Sequence, residues 1–273
     1  MNGNIPDYRL KVERAKAHIA ELAKGIQAFF ASKPYSIVIE DDVTAGQRVW
    51  KVKVRECVPQ NFSTIIGDAI HNTRASLDLL AVAVVRRCDP GRQSYNHVHF
   101  VIRETEEKFK ADLGENIKGA SPAARLIFES LKPYKGGDEA FWRLHQLDIL
   151  DKHKAIIPVG ASYNSVDLLP YMAATAEHGL GGEEGAKFAK MMRSFGALRL
   201  RPADRKFPLQ DGADLFRVPI ADPRTADDKI QFTFDIAFGE GQIVDGESVI
   251  PALTQMCQFV EGVFPLFEAD ILK

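Results

Sequence analysis

Apolar residues recur every third or fourth position over 6–32. Leu10, Ile19, Leu22, Ile26, Phe29 and Phe30 fit one helical period, with Pro6 at the start and Ser32-Lys33-Pro34 as the stop. The pattern then changes to a period of two. YSIVIEDD at 35–42 and QRVWKVKVREC at 47–57 read as two strands, the second with Lys51, Lys53 and Arg55 on a wet face. The short polar link between them predicts an antiparallel hairpin.

The longest helical pattern covers 61–88, with Asn61 or Ser63 as N-cap and CDPG as the stop. SYNHVHFVI at 94–102 reads as a short strand. Helices follow at 104–113 and at 121–131, the latter opened by Ser121-Pro122, and a further helix covers 138–153. An apolar strand is predicted at 155–166. From 167 to 228 glycines and turn residues loosen the pattern into a partly helical insertion with strands near 197–201 and 215–220. KIQFTFDIAFGE at 229–240 alternates cleanly, and a last helix is expected over 248–271. Hairpins dominate and no β-α-β rhythm emerges. The fold class predicted is therefore α+β, a bundle of four or five helices packed with an antiparallel sheet. No Pro/Ser-rich linker divides the chain, so 1–273 reads as a single domain carrying the insertion at 167–228.

One stretch departs from ordinary helix patterning. In GDAIHNTRASLD, at 67–78, a helical wheel puts Ile66, Ile70, Leu77, Leu80 and Val84 on a core stripe and His71, Arg74 and Asp78 nearly opposite. Gly67, Ala75, Val82 and Val85 surround that polar triplet, where a solvated face would carry Lys, Glu or Gln. Another element is expected to cover it. The helix at 138–153 repeats the spacing with His145, Asp148 and Lys152, and its end adds Asp151 and His153. If the two helices are neighbours, Arg74 can meet Asp148, and Asp78 can meet Lys152.

Composition adds little chemistry but excludes some classes. The chain has 273 residues, 45% hydrophobic and 26% charged, with a formal net charge of −2 and a pI near 6.4. That balance gives no strong nucleic-acid signal. Three scattered cysteines form no C-x-x-C pair and fit a reduced compartment. The N-terminal segment lacks the apolar stretch of a secretory signal, and the strongly apolar run at 77–85 is too short for a bilayer. A cytoplasmic protein with no membrane association is expected. Nucleotide fingerprints are missing: GLGGEEG at 179–185 has the wrong glycine order, and there is no GK[ST]. No cofactor is implied.

The pairing of G-x-x-x-H-N-x-R-x-x-L-D in one helix with D-K-H-[KR] at the end of a later one resembles a group of bacterial proteins of unknown function. The matching residues are Gly67, His71, Asn72, Arg74, Leu77 and Asp78, then Asp151, Lys152, His153 and Lys154. The terminal strand and helix are similar as well. The resemblance implies a stand-alone bacterial cytoplasmic protein and carries no activity to transfer.

Three functions stay open on these residues. The first is a structural or interaction-specifying polar network, with the working surface in 167–228 and self-association a possible outcome. The second is an enzyme or binding protein for a small anionic ligand, with phosphodiester or nucleotide hydrolysis as one example. In that reading Arg74, Asn72 and Lys152 hold the anion, His71 or His153 moves protons, and Asp78 and Asp151 orient the imidazoles, with His145 and Asp148 as further candidate residues. The third is a metal-dependent helical protein joining His71 and His145 or His153 to His97 or His99. The sequence lacks any complete metal-binding motif, so no metal ligand is assigned.

Overall fold

The computed structural model describes residues 5–153, 159–195, 198–200, 207–220, 230–239, 243–244 and 246–273. The chain divides into two compact units, one formed by 1–25, 60–158 and 240–273 and the other by 26–59 and 159–239.

The first unit is helical. Helix α1 (Asp7–Ala31) belongs to it through Gly25. Helices α2 (Asn61–Cys88), α3 (Glu106–Asn116), α4 (Pro122–Ser130) and α5 (Glu139–His153) follow, and the C-terminal helix completes the unit. Gln60 takes the α2 N-cap position without a side-chain cap, rather than Asn61 or Ser63. Ser121 does cap α4, accepting the Ala124 N–H with Pro122 at the first turn. Helix α2 lies at the centre, packed on α5 and on the C-terminal helix. Its Ile66, Ile70, Leu77, Leu80 and Val84 are all fully buried, so the core stripe drawn from the wheel is the real one. Aromatic pairs close this core: Phe100 stacks on Phe141 at 5.3 Å, and Phe128 meets Phe267 at 4.7 Å.

The second unit carries strands β1 (Tyr35–Asp42), β2 (Gln47–Val54), β3 (Val159–Asp167), β4 (Arg199–Leu200), β5 (Asp214–Pro219) and β6 (Gln231–Phe238). Helices α6 (Leu169–Leu180) and α7 (Gly182–Ser194) form a hairpin between β3 and β4, and α8 (Val249–Glu268) is the C-terminal helix of the first unit. The architecture is α+β, as the sequence pattern implies. Its antiparallel strands form two three-stranded sheets, in orders β1-β2-β5 and β4-β3-β6. The β1–β2 hairpin closes with Asp42 opposite Gln47. Trp50, Tyr163, Tyr171, Val218 and Ile230 share a hydrophobic cluster, with the Trp50 and Tyr171 rings edge-on at 6.1 Å.

By length and composition alone α8 would suffice to cross a membrane. Val249, Ala252, Leu253, Cys257, Val260, Val263, Phe264 and Phe267 are buried in the first unit, the pattern of a core helix.

One predicted strand is not formed. Residues 94–102 form no strand, and the nearest bridge is an isolated parallel contact of Arg103 with Tyr134. The reason lies in where the backbone groups go. The Phe100 N–H donates to Asp78 Oδ1 at 2.9 Å, and its carbonyl accepts from Arg74 Nη2 at 2.8 Å. Side chains of α2 satisfy the polar groups that a neighbouring strand would otherwise have taken.

Candidate functional site

Both polar helices are in the first unit and pack directly on each other. The seam between them holds two separate nodes.

The first node centres on Arg74, which is 5% exposed. Its Nη1 donates to Asp78 Oδ1 at 2.8 Å, Nη2 to the Phe100 carbonyl at 2.8 Å, and Nε to His145 Nδ1 at 3.5 Å. A guanidinium can only donate, so His145 Nδ1 is the acceptor and this imidazole is neutral with its proton on Nε2. Burial, and then the Arg74 charge, push the His145 pKa down to about 4. Asp78 Oδ1 accepts twice, from Arg74 and from the Phe100 N–H. Two side chains one helical turn apart thus grip both backbone groups of one residue.

The second node centres on Asp148, 4% exposed. Its Oδ1 lies 3.2 Å from His71 Nδ1, and its Oδ2 accepts from Lys152 Nζ at 2.7 Å. A carboxylate only accepts, so Nδ1–H points at Asp148, and in the neutral ring Nε2 holds the lone pair. The His71 side chain is 43% exposed. Asp151, one turn along α5, has its carboxylate seated on α2 at Gly67, and a methyl group there would come within 2.7 Å of both oxygens and the carboxyl carbon. Burial, followed by the charges of Asp148 and Asp68, raises the Asp151 pKa above the usual carboxylate range.

The cross-helix pairs drawn from the sequence are replaced by pairs within each helix. Arg74 takes Asp78 of its own helix, and Asp148 takes Lys152 of its own. Spacing of i, i+4 puts these partners within reach before any neighbour arrives. The links that do cross the seam are His71 to Asp148 and Arg74 to His145. His153 closes α5; its side chain and Lys154 lie outside the described residues.

The imidazoles considered for a metal are not gathered. His97 is exposed on the 94–102 segment while His99 is half-buried, its pKa lowered chiefly by burial. Among the described residues no group of three His, Cys, Asp or Glu side chains is placed to hold a metal ion.

Two features were not anticipated from the sequence. Asn72 faces away from the seam, toward α1: it accepts from Lys11 Nζ at 3.1 Å and donates to the Asp68 carbonyl at 2.7 Å. The signal for that contact is the cation pair Lys11 and Arg14, spaced i, i+3 beside Leu10. The other lies in the α6–α7 hairpin, where α7 buries Gly185 and Ala189 and leaves Phe188, Met191 and, at its C-cap, Phe195 exposed. Their i, i+3, i+7 spacing was there to be read in AKFAKMMRSF.

Comparison of the chain with protein-family models, curated proteins and solved structures gives no significant match. Any functional reading therefore has to come from the geometry itself.

Proposed function

We propose that the Arg74 node is a packing device and that the protein works as an interaction-specifying module. The observation that carries this reading is the engagement of Arg74. All three of its nitrogens donate to groups of the same chain, and the side chain is shut from solvent, so an incoming anion would have to displace an existing partner. A buried charge held in this way fixes one arrangement of α2, α5 and the 98–102 segment against alternatives that would strand it. The surface such a module offers is the α7 stripe of Phe188, Met191 and Phe195, and a second copy of the chain, matching stripe to stripe, is the partner this reading names. A double-mutant cycle on Arg74 and Asp78, read by urea unfolding, tests the packing role. A coupling of about 1.5 kcal/mol or more is expected for a charge-assisted hydrogen bond, and a coupling near zero ends the reading.

His71 supports a second reading. A half-exposed imidazole with Nδ1 held by a buried carboxylate presents Nε2 as a base, and the Asp151 carboxyl lies one turn away. With Asp68, Asp148 and Asp151 set against Lys152, carboxylates outnumber cations beside His71, which favours an uncharged substrate over an anion. Rates on uncharged and anionic chromogenic esters, compared among wild type, His71→Gln and Asp148→Asn, decide it. Loss of the uncharged-ester rate in both variants supports the reading, and equal rates in all three proteins sink it.

A further inference from the structure

The cations for an anionic ligand do exist in the first unit, one helix away from Arg74. A groove of about 380 Å³ runs between α1 and α2, lined by Asp7, Leu10, Lys11, Arg14, Asn72 and Leu79. Its volume falls within the range of small-molecule sites. We propose that this groove binds a small amphiphilic carboxylate, with Lys11 and Arg14 on the headgroup and Leu10 and Leu79 against the tail.

Three observations support that assignment. Lys11 is not a free surface lysine: its ammonium is tethered to Asn72 Oδ1 at 3.1 Å, and Asn72 is 8% exposed and itself tied to the Asp68 carbonyl. One ammonium proton is used there and two are left for a ligand. Arg14 follows Lys11 by three residues on α1, so both cations stand on one face. It is exposed, and no described side chain or carbonyl accepts from it, so its planar fork is free for two parallel bonds to a carboxylate. Leu10 is 48% exposed beside the two cations, and Leu79 supplies apolar surface on the facing helix.

Among the described residues, Asp7 is the only acid lining the groove. Against two cations it leaves a net charge of +1, which suits a single carboxylate and penalises a polyanion. The proposal stands apart from the seam, since it uses neither Arg74 nor His71.

Isothermal titration of the intact protein with octanoate tests it, with acetate, inorganic phosphate and octylamine as separate probes at fixed ionic strength. Octanoate should saturate a single site and bind at least about tenfold more tightly than acetate or phosphate, because only it fills both halves of the groove. Octylamine should not compete. Arg14→Met and Lys11→Met should each weaken octanoate about tenfold, the loss expected for a charge-assisted hydrogen bond. Arg14 is exposed and structurally unpaired, so its variant keeps the fold and keeps the test decisive. Equal octanoate affinity in wild type and Arg14→Met, or no saturable binding at all, overturns the proposal. Phosphate binding as tightly as octanoate also overturns it, since the apolar wall would then have no role.

Discussion

The Asp151 carboxylate occupies the space beside Gly67 that a side chain at position 67 would need. Two effects of Gly67→Ala therefore oppose each other. Alanine inside a helix gains about 1 kcal/mol over glycine. Overpacking in a tight core costs about 1–3 kcal/mol, but this carboxylate is the half-exposed end of a side chain and can turn away into solvent. The helix gain should win, and Gly67→Ala is expected to keep or raise the urea midpoint at pH 7. Asp151→Ala should change the effect of Gly67→Ala by less than about 1 kcal/mol. A clear loss in Gly67→Ala that Asp151→Ala removes would show that the carboxylate is locked in place.

Ionised Asp151 sits in a place that disfavours its charge. Its folded pKa is raised, so the native state binds the proton more tightly than the unfolded chain does, and ionisation costs stability as pH rises through the carboxylate range. Asp151→Asn should therefore raise the melting temperature at pH 7. The gain should vanish in acid, where Asp151 is protonated in both states. A pH-independent gain would point to packing rather than charge.

Arg74 allows a test of shape against charge. Arg74→Met leaves the Phe100 carbonyl unpaired and takes the cation from Asp78, whose side chain is 37% exposed and open to water, so a loss of about 1–3 kcal/mol is expected. Arg74→Lys keeps the charge but has no fork to reach Asp78, Phe100 and His145 at once. It should recover only part of that loss in urea unfolding. Full rescue by lysine would mean that charge alone matters and that the grip on Phe100 is incidental.

The predictions rest on parts of the structure that differ in how visible they were beforehand. The faces of α2 follow from spacing alone, because a stripe of Ile, Leu and Val has one place to go. That α5 covers the polar face was also legible, since His145, Asp148 and Lys152 repeat the spacing. Who bonds to whom was not. Sequence offers Asp148 and Asp78 equally to Arg74, and only the reach of an i, i+4 pair chooses between them. The 94–102 segment misled for a related reason. Its apolar residues are buried as a strand's would be, at Val98, Phe100, Val101 and Ile102. Its hydrogen bonds, though, go to side chains 22 and 26 residues earlier, which no local pattern encodes. Asn72, expected to hold an anion together with Arg74 and Lys152, is two residues from Arg74, a turn of about 200° on a helix, and faces Lys11 of α1 instead.

His145 gives the last prediction, and its sign follows from the Arg74 bond. The imidazole accepts from Arg74 Nε and stays neutral in the fold, with a pKa of about 4, well below the 6.5 of an unfolded histidine. Between those two values the unfolded chain binds a proton that the native protein refuses. The slope of unfolding free energy with pH is then positive, so stability is full above about pH 6.5 and falls as pH drops toward 4. Solvent at the open edge of the ring trims the full linkage value, leaving a contribution on the order of 1–2 kcal/mol. Asn at position 145 keeps an acceptor near the Nδ1 position but cannot titrate. His145→Asn should therefore match wild type near pH 7 and lose less stability by pH 4.5, read as the difference between the two unfolding curves. Parallel pH profiles for the two proteins would place the acid sensitivity elsewhere and remove the neutral imidazole from the Arg74 node.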